Sequence, residues 1–391
     1  MRVCFTPQCD PVRALPRRAA PPTEESNEPV ETVELGPKPT IAAEQLRAGG
    51  QKTAWGTLMA LGGLSVLIGA NQFLVPATPS LSVMETVGDY VDTVSSLSHL
   101  MLAGKFYADG ASAAKQLMQT ADPLQDVPLV TIDRPVMIVP GWTTKAEKFD
   151  HLVARLTEGG RNGGQAYYVR HGQVFSDKDC TQPTQVEAGA RVFVVVFDDV
   201  LDTPDQSAPQ IGEALEVVAR ATGSDRIDTL GYSLGGLASR VYLEQGGERM
   251  GRLMILGTGN HGTRFAELAT RLIEKDVSWA MNLAELNAAH LPAMRWMASE
   301  ANNPRLQELN RTWTDQLART EGVKIVGSDG LWTPSMGRSS FVGGDGMVES
   351  NSLAMPGVEV DVLPGKGYKQ HGNLPNDSAV YREMAEFFNW R

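Results

Sequence analysis

The sequence predicts an α/β fold, a mostly parallel sheet flanked by helices, over the C-terminal two thirds of the chain. Three observations carry this. From about Leu129 onward, short β-rich runs alternate with helix-like segments, the rhythm of strand–helix–strand units. The run RVFVVVFDD, Arg191 to Asp199, is apolar without alternation, which marks a strand covered on both faces. At 391 residues and 42% apolar, the chain can bury a large core.

In chain order, PVMIVPGW (Pro135 to Trp142) reads as a short buried strand ending in a turn, and RVFVVVFDD as a second strand. QIGEALEVVARATG (Gln210 to Gly223) has helical spacing and a glycine stop. RIDTLGYS is a strand and turn, LGGLASRVYLEQGG a helix closed by Gly246 and Gly247, and GRLMILGTG another strand. VKIVGS and VEVDVLPG are two more strands, and SAVYREMAEFFNW is a final helix. Residues 263–320 interrupt this rhythm with helical segments rich in Met and Trp. An insertion of that size predicts a helical cap over one end of the sheet, and its soft apolar side chains suit greasy ligands.

The N-terminal third differs. Residues 1–50 are rich in proline and mixed charge and predict a disordered tail. No charged residue occurs from Thr53 to Met84, and the stretch 53–75 reads as a membrane-spanning helix. Arg47 and Lys52 precede it, and Glu85, Asp89 and Asp92 follow. That asymmetry places the tail in the cytoplasm and the later domain outside, as a single-pass protein associated with the membrane through residues 54–75. The competing readings are a cleaved signal, giving a secreted protein, and a soluble helix. Residues 81–124 have helical spacing and predict a stalk or linker, leaving 125–391 as the main domain.

The net charge of −11 and the lack of a basic stripe argue against a nucleic-acid partner. Three cysteines, Cys4, Cys9 and Cys180, cannot close a disulfide framework and have no zinc spacing; no metal and no cofactor is expected.

TLGYSLGGLASR, residues 229–240, places Ser233 between Gly231 and Gly235 at a strand-to-helix junction. A sharp turn there exposes a serine hydroxyl but crowds the residues on either side, which glycine tolerates. The helix start behind it offers N–H groups to developing negative charge. A serine nucleophile needs a base, and the base an orienting carboxylate. Of six histidines, His99 lies before the sheet, His151 and His290 in helix-like stretches, and His171 in a glycine-rich loop. His261 and His371 lie where strands end; the order Ser–acid–His selects His371 and leaves His261 to shape the cleft floor. For the acid, Asp345 in a glycine-flanked turn leads, with Asp329 and Glu349 as rivals. The oxyanion donors expected are the N–H of Leu234, after the nucleophile, and that of Trp142, after Gly141.

Together these segments resemble the α/β-hydrolase superfamily, and within it the bacterial lipase and esterase group, over roughly Val130 to Arg391. MIVPGW resembles the oxyanion strand and loop, GYSLGG the nucleophile elbow, LGTGNHGT the segment after the next strand, GGDGMVESNS the acid loop and QHGNLPND the histidine loop. Pro140 stands where that group usually has histidine, and Asn260 and a missing proline alter the third segment. Some lipases of the group hold calcium, but no carboxylate cluster here supports carrying that over. The resemblance implies a serine hydrolase of carboxylic esters, a lipase or lipid esterase acting on an ester or lipid substrate through Ser233, His371 and Asp345. An acyltransferase or an amidase/deacylase on the same fold is the alternative, and a non-catalytic membrane adaptor the alternative of another class.

Overall fold

The structure, a computed structural model, describes residues 123–276, 278, 281, 286–334, 341–364 and 371–391. The expected tail, the apolar run at 53–75 and nearly all of the 81–124 helical stretch lie outside the described residues. Among the described residues, no helix is long and apolar enough to cross a membrane.

The chain alternates between sheet and helix. Strand β1 (Val136–Val139) leads to α1 (Asp150–Thr157), then to β2 (Ala166–Arg170), β3 (Gln173–Phe175) and β4 (Val192–Val195). Helix α2 (Pro204–Thr222) crosses to β5 (Ile227–Tyr232), and α3 (Leu234–Glu244) to β6 (Met250–Leu256). The insertion follows, with α4 (Arg264–Glu274), α5 (Leu291–Met297), α6 (Pro304–Arg311) and α7 (Trp313–Leu317). After it come β7 (Gly322–Ser328), a separate hairpin of β8 (Leu331–Pro334) and β9 (Phe341–Gly344), β10 (Val360–Leu363) and α8 (Ser378–Phe387).

The main sheet has eight strands in the order β10-β7-β6-β5-β1-β4-β2-β3. Every pairing in it is parallel except β2 with β3. Strand residues alternate between two cores, as a period of two requires. Val136, Ile138, Val192 and Val194 pack with Phe149, Leu152, Tyr381 and Met384, so α1 and α8 cover one face. Met137, Val139, Phe193 and Val195 pack with Ile211, Leu215, Val218 and Ala238, so α2 and α3 cover the other. Continuous apolar runs therefore form the central strands because both of their faces are buried.

Two of the departures from the sequence reading have a clear local cause. Helix α2 begins at Pro204, six residues before the stretch read as helical. Thr203 and Gln206 form a capping box there, and proline occupies the first helical position. His171, read as part of a glycine-rich loop, sits at the tip of the β2–β3 hairpin. Both His171 and Gly172 have positive φ, 49° and 62°, as a tight two-residue hairpin turn requires.

This topology opens a crevice. The chain leaves β1 toward α1 on one face and leaves neighbouring β5 toward α3 on the other. The loops after these two strands diverge at their C-terminal ends, the point where open α/β sheets bind ligands.

Candidate active site

Ser233 occupies the junction of β5 and α3 with φ 55° and ψ −126°, a conformation costly for a residue with a side chain. The fold holds it there by its main chain. Its N–H donates to the Leu256 carbonyl at 2.8 Å, and its carbonyl accepts from Gly236 N–H at 2.9 Å and the Thr258 hydroxyl at 2.7 Å. The glycines around it are required by contact. A Cβ on Gly231 would stand 2.8 Å from the Gly236 Cα, and one on Gly235 would collide with the carbonyls of Val139 and Pro140. A Cβ on Gly141 would stand 2.7 Å from the Ser233 Cβ, so the loop after β1 lies directly against Ser233.

His371 and Asp345 meet Ser233 from loops far along the chain. The Ser233 hydroxyl lies 2.8 Å from His371 Nε2, and His371 Nδ1 lies 2.7 Å from Asp345 Oδ2. The other carboxylate oxygen, Oδ1, accepts from the main-chain N–H groups of Met347 at 3.0 Å and Val348 at 2.8 Å. Asp345 is 2% exposed and His371 7%, while Ser233 is half-buried. The imidazole and carboxylate are thus shielded, and the hydroxyl is the group offered outward. Gly257 allows this closure: its φ is 57°, and a Cβ on it would lie 2.8 Å from Leu374 and 3.5 Å from the imidazole.

The remaining candidates fall around this centre. Leu234 N–H heads α3, in the first turn, where helix N–H groups lack partners within the helix. Trp142 directly follows Gly141, and its neighbour Thr143 is held at φ 52° with its N–H on the Val200 carbonyl at 2.8 Å. The Trp142 ring packs edge-on against His290 (centroids 5.4 Å apart) and tilted against Phe265 (6.4 Å). Its indole Nε1 is buried with no hydrogen-bond partner among the described residues.

Among the three candidate acids, the carboxylate seen on the imidazole is that of Asp345. Asp329 follows β7, its N–H on the Leu363 carbonyl at 3.3 Å, and Glu349 is buried with Oε1 accepting the Arg264 N–H at 3.0 Å. His261 does not reach Ser233 in any hydrogen bond: Nδ1 lies 2.5 Å from Glu300 Oε2 and Nε2 2.8 Å from the Ala354 carbonyl. It ties the insertion to the segment after the acid loop. Cys180 is half-buried, and burial pushes its thiol up to about 11.

Sequence reasoning missed three supporting residues, Tyr232, Thr258 and Lys148. Thr258 holds the Ser233 carbonyl, while Tyr232 and Lys148 hold the turn that carries His371. Their bonds span 25 to 224 residues, and no local spacing signals them.

An eight-stranded, mostly parallel sheet with a strained serine between its central strand and the following helix is one fold's arrangement. A family model described as an alpha/beta hydrolase of unknown function (DUF915) matches residues 130–251, from the approach to β1 through the elbow to the start of β6. The chain has the α/β-hydrolase fold. No curated protein matches it. Among solved structures, the chain is similar to a gene product of Listeria innocua at 16% identity, over 65% of this chain and 93% of that one, with a TM-score of 0.44. It is also similar to a Bacillus licheniformis lipase in its mature form (13% identity, 68% and 96% covered, TM-score 0.40). A metagenomic carboxyl esterase gives 13% identity, 67% and 80% covered, and a TM-score of 0.40.

Proposed function

We propose that this α/β-hydrolase cleaves carboxylic esters of apolar acids through an acyl-enzyme on Ser233. The observation that carries this reading is the unbroken series of contacts from Asp345 through His371 to Ser233, at 2.7 and 2.8 Å. With Nδ1–H donated to the carboxylate, Nε2 is left to take the hydroxyl proton. Ser233 Oγ attacks the ester carbonyl as His371 accepts that proton. The oxyanion is received by the N–H groups of Leu234 and Trp142. His371 then protonates the leaving alcohol, and a water activated by the same imidazole releases the acid.

The preference for apolar acyl groups follows from the neighbours of Trp142. Trp142, Phe265, Met281, Leu291 and Met297 pack, partly buried, against Ala266, Ala269, Leu286 and Met294 of the insertion. An acyl chain leaving the carbonyl on that side meets aromatic and thioether surface.

Fluorophosphonate labelling of the native chain, compared with Ser233→Ala, tests the reading, together with hydrolysis of p-nitrophenyl esters of increasing chain length. Labelling and ester hydrolysis that both require Ser233 are expected; labelling absent from the native protein would overturn it. Product analysis with added glycerol separates hydrolysis from acyl transfer, and matched amide substrates separate esterase from amidase or deacylase activity. Membrane anchoring through residues 54–75 belongs to the same proposal. Retention of the full chain in the membrane pellet after alkaline carbonate extraction is expected, and release would refute it.

A further inference from the structure

His371 opens a short 3-10 turn, His371–Asn376, and both of its main-chain polar groups are committed. Its N–H donates to the Asp345 carbonyl at 2.9 Å, and its carbonyl accepts from the Tyr232 hydroxyl at 2.8 Å. Tyr232 is the last residue of β5, directly before Ser233. One residue further, the Gly372 carbonyl accepts from the Lys148 ammonium at 3.0 Å, and the Asn376 carboxamide donates back to the Lys148 carbonyl at 3.0 Å. Lys148 belongs to the 3-10 turn Ala146–Phe149, just downstream of Trp142. The backbone that carries the imidazole is therefore gripped by the strand of the nucleophile and by the loop of the expected oxyanion donor.

Tyr232 is built to hold still. It is 2% exposed, Phe149 stands edge-on to it at 6.0 Å, and its ring lies 5.3 Å from the imidazole at a 30° tilt. Burial, with the nearby Asp345 charge, holds the phenol far above its ordinary ionisation range, so it remains a donor. A hydroxyl that fixes a carbonyl at 2.8 Å fixes the peptide plane from which the imidazole projects.

We propose that Tyr232 is a positioning residue. Its hydroxyl, seconded by the Lys148 ammonium at the next carbonyl, sets where the His371 imidazole stands against Ser233. This rests on the acyl-transfer reading above. Tyr232 bonds to the backbone of the base, so its loss acts on the chemical step and not on substrate affinity.

The test uses a matched pair of variants. Tyr232→Phe removes the hydroxyl and keeps the ring. Tyr381→Phe does the same to another buried tyrosine, whose hydroxyl donates to the Pro128 carbonyl at 3.0 Å on the face covered by α8. In Tyr232→Phe, kcat for p-nitrophenyl butyrate and the rate of fluorophosphonate labelling are expected to fall together by roughly tenfold, with KM within about twofold, as sub-ångström misplacement of a reacting group predicts. Tyr381→Phe is expected to keep kcat and KM while losing comparable thermal stability. Lys148→Met is expected to show the same kcat-only pattern more weakly, and it decides the matter if Tyr232→Phe does not fold. An unchanged kcat in the deciding variant, an effect confined to KM, or an equal kcat loss in Tyr381→Phe overturns the positioning role while native labelling still stands. Absence of Ser233-dependent labelling in the native chain instead overturns the underlying reading, and this inference with it.

Discussion

Replacing Asp345 by Asn tests the catalytic reading at its most constrained atom. The substitution is nearly isosteric, so the question is which way the new amide faces. Oδ1 already accepts two main-chain N–H groups, from Met347 and Val348. Placing the amide nitrogen there would point donors at donors and forfeit both bonds, a penalty of about 3 kcal/mol or more in a buried site. The amide oxygen therefore stays, and the nitrogen faces His371 Nδ1, which in the native site lies 2.7 Å from the carboxylate. Nδ1 must then accept, the proton moves to Nε2, and the ring donates toward Ser233 where it should accept. A penalty of about 3 kcal/mol leaves roughly one molecule in a hundred with the productive tautomer. Loss of the negative charge that supports the imidazolium removes about a further hundredfold, for a total near 10⁴ in kcat. The assay is p-nitrophenyl ester hydrolysis by Asp345→Asn beside Asp329→Asn, with circular dichroism to show folding. Retention of more than about a tenth of native kcat by Asp345→Asn would refute the reasoning, as would a larger loss in Asp329→Asn.

Three further outcomes are expected. Gly231→Ala forces a Cβ to within 2.8 Å of the Gly236 Cα and 3.1 Å of the Gly235 carbonyl, both main chain with no room to give. It should lose about 2–3 kcal/mol in urea denaturation together with Ser233 labelling, and a native-like midpoint would count against the elbow packing. Arg240→Met strips the donor from Gln316 Oε1, Asn260 Oδ1 and Asn310 Oδ1, which lie 2.7–3.1 Å from the guanidinium. At about 1 kcal/mol or more for each orphaned acceptor, the loss should exceed about 3 kcal/mol, and Arg240→Lys should not recover it, since an ammonium cannot span three acceptors. Burial pulls the Glu300 carboxyl upward, but hydrogen bonds from His261 and Asn310 and the nearby charges of His261 and Arg240 outweigh it and hold it below 4.5. A depressed folded value means stability present above the unfolded value and lost as the pH falls through the folded one. The urea midpoint should therefore decline below about pH 4.5, and less steeply in Glu300→Gln; equal slopes would exclude Glu300 as a source of the decline.

What the sequence disclosed, and what it hid, has a physical pattern. Central strands such as Val192–Val195 were legible because burial on both faces leaves an uninterrupted apolar run. The elbow was legible because the sterics of one tight turn dictate glycine at Gly231 and Gly235. Chain order, a property of topology, separated His371 from His261, while Asp345 stood out from Asp329 and Glu349 only by its glycine-flanked turn. The β8–β9 hairpin escaped notice because Gly343 and Gly344 pair with Trp332 and Leu331, and glycine carries no β signal of its own. The β2–β3 hairpin did leave a trace, a His-Gly pair between β-rich runs, that went unread. Nothing in local pattern could reveal that the Tyr232 hydroxyl meets the His371 carbonyl, because that contact spans 139 residues and exists only once the sheet has formed.

The attachment of the insertion to α3 has a consequence for ionic strength. Arg240, fully buried and stacked 4.8 Å over the Trp313 ring, holds α6 and α7 through neutral amide and carbonyl oxygens. Arg305 holds the same region through half-exposed ion pairs with Asp205 and Glu244. Mobile counterions screen the outer clasp and cannot reach the inner one. In concentrated brine the rim of the insertion should therefore loosen while its root stays locked to the helix that follows Ser233.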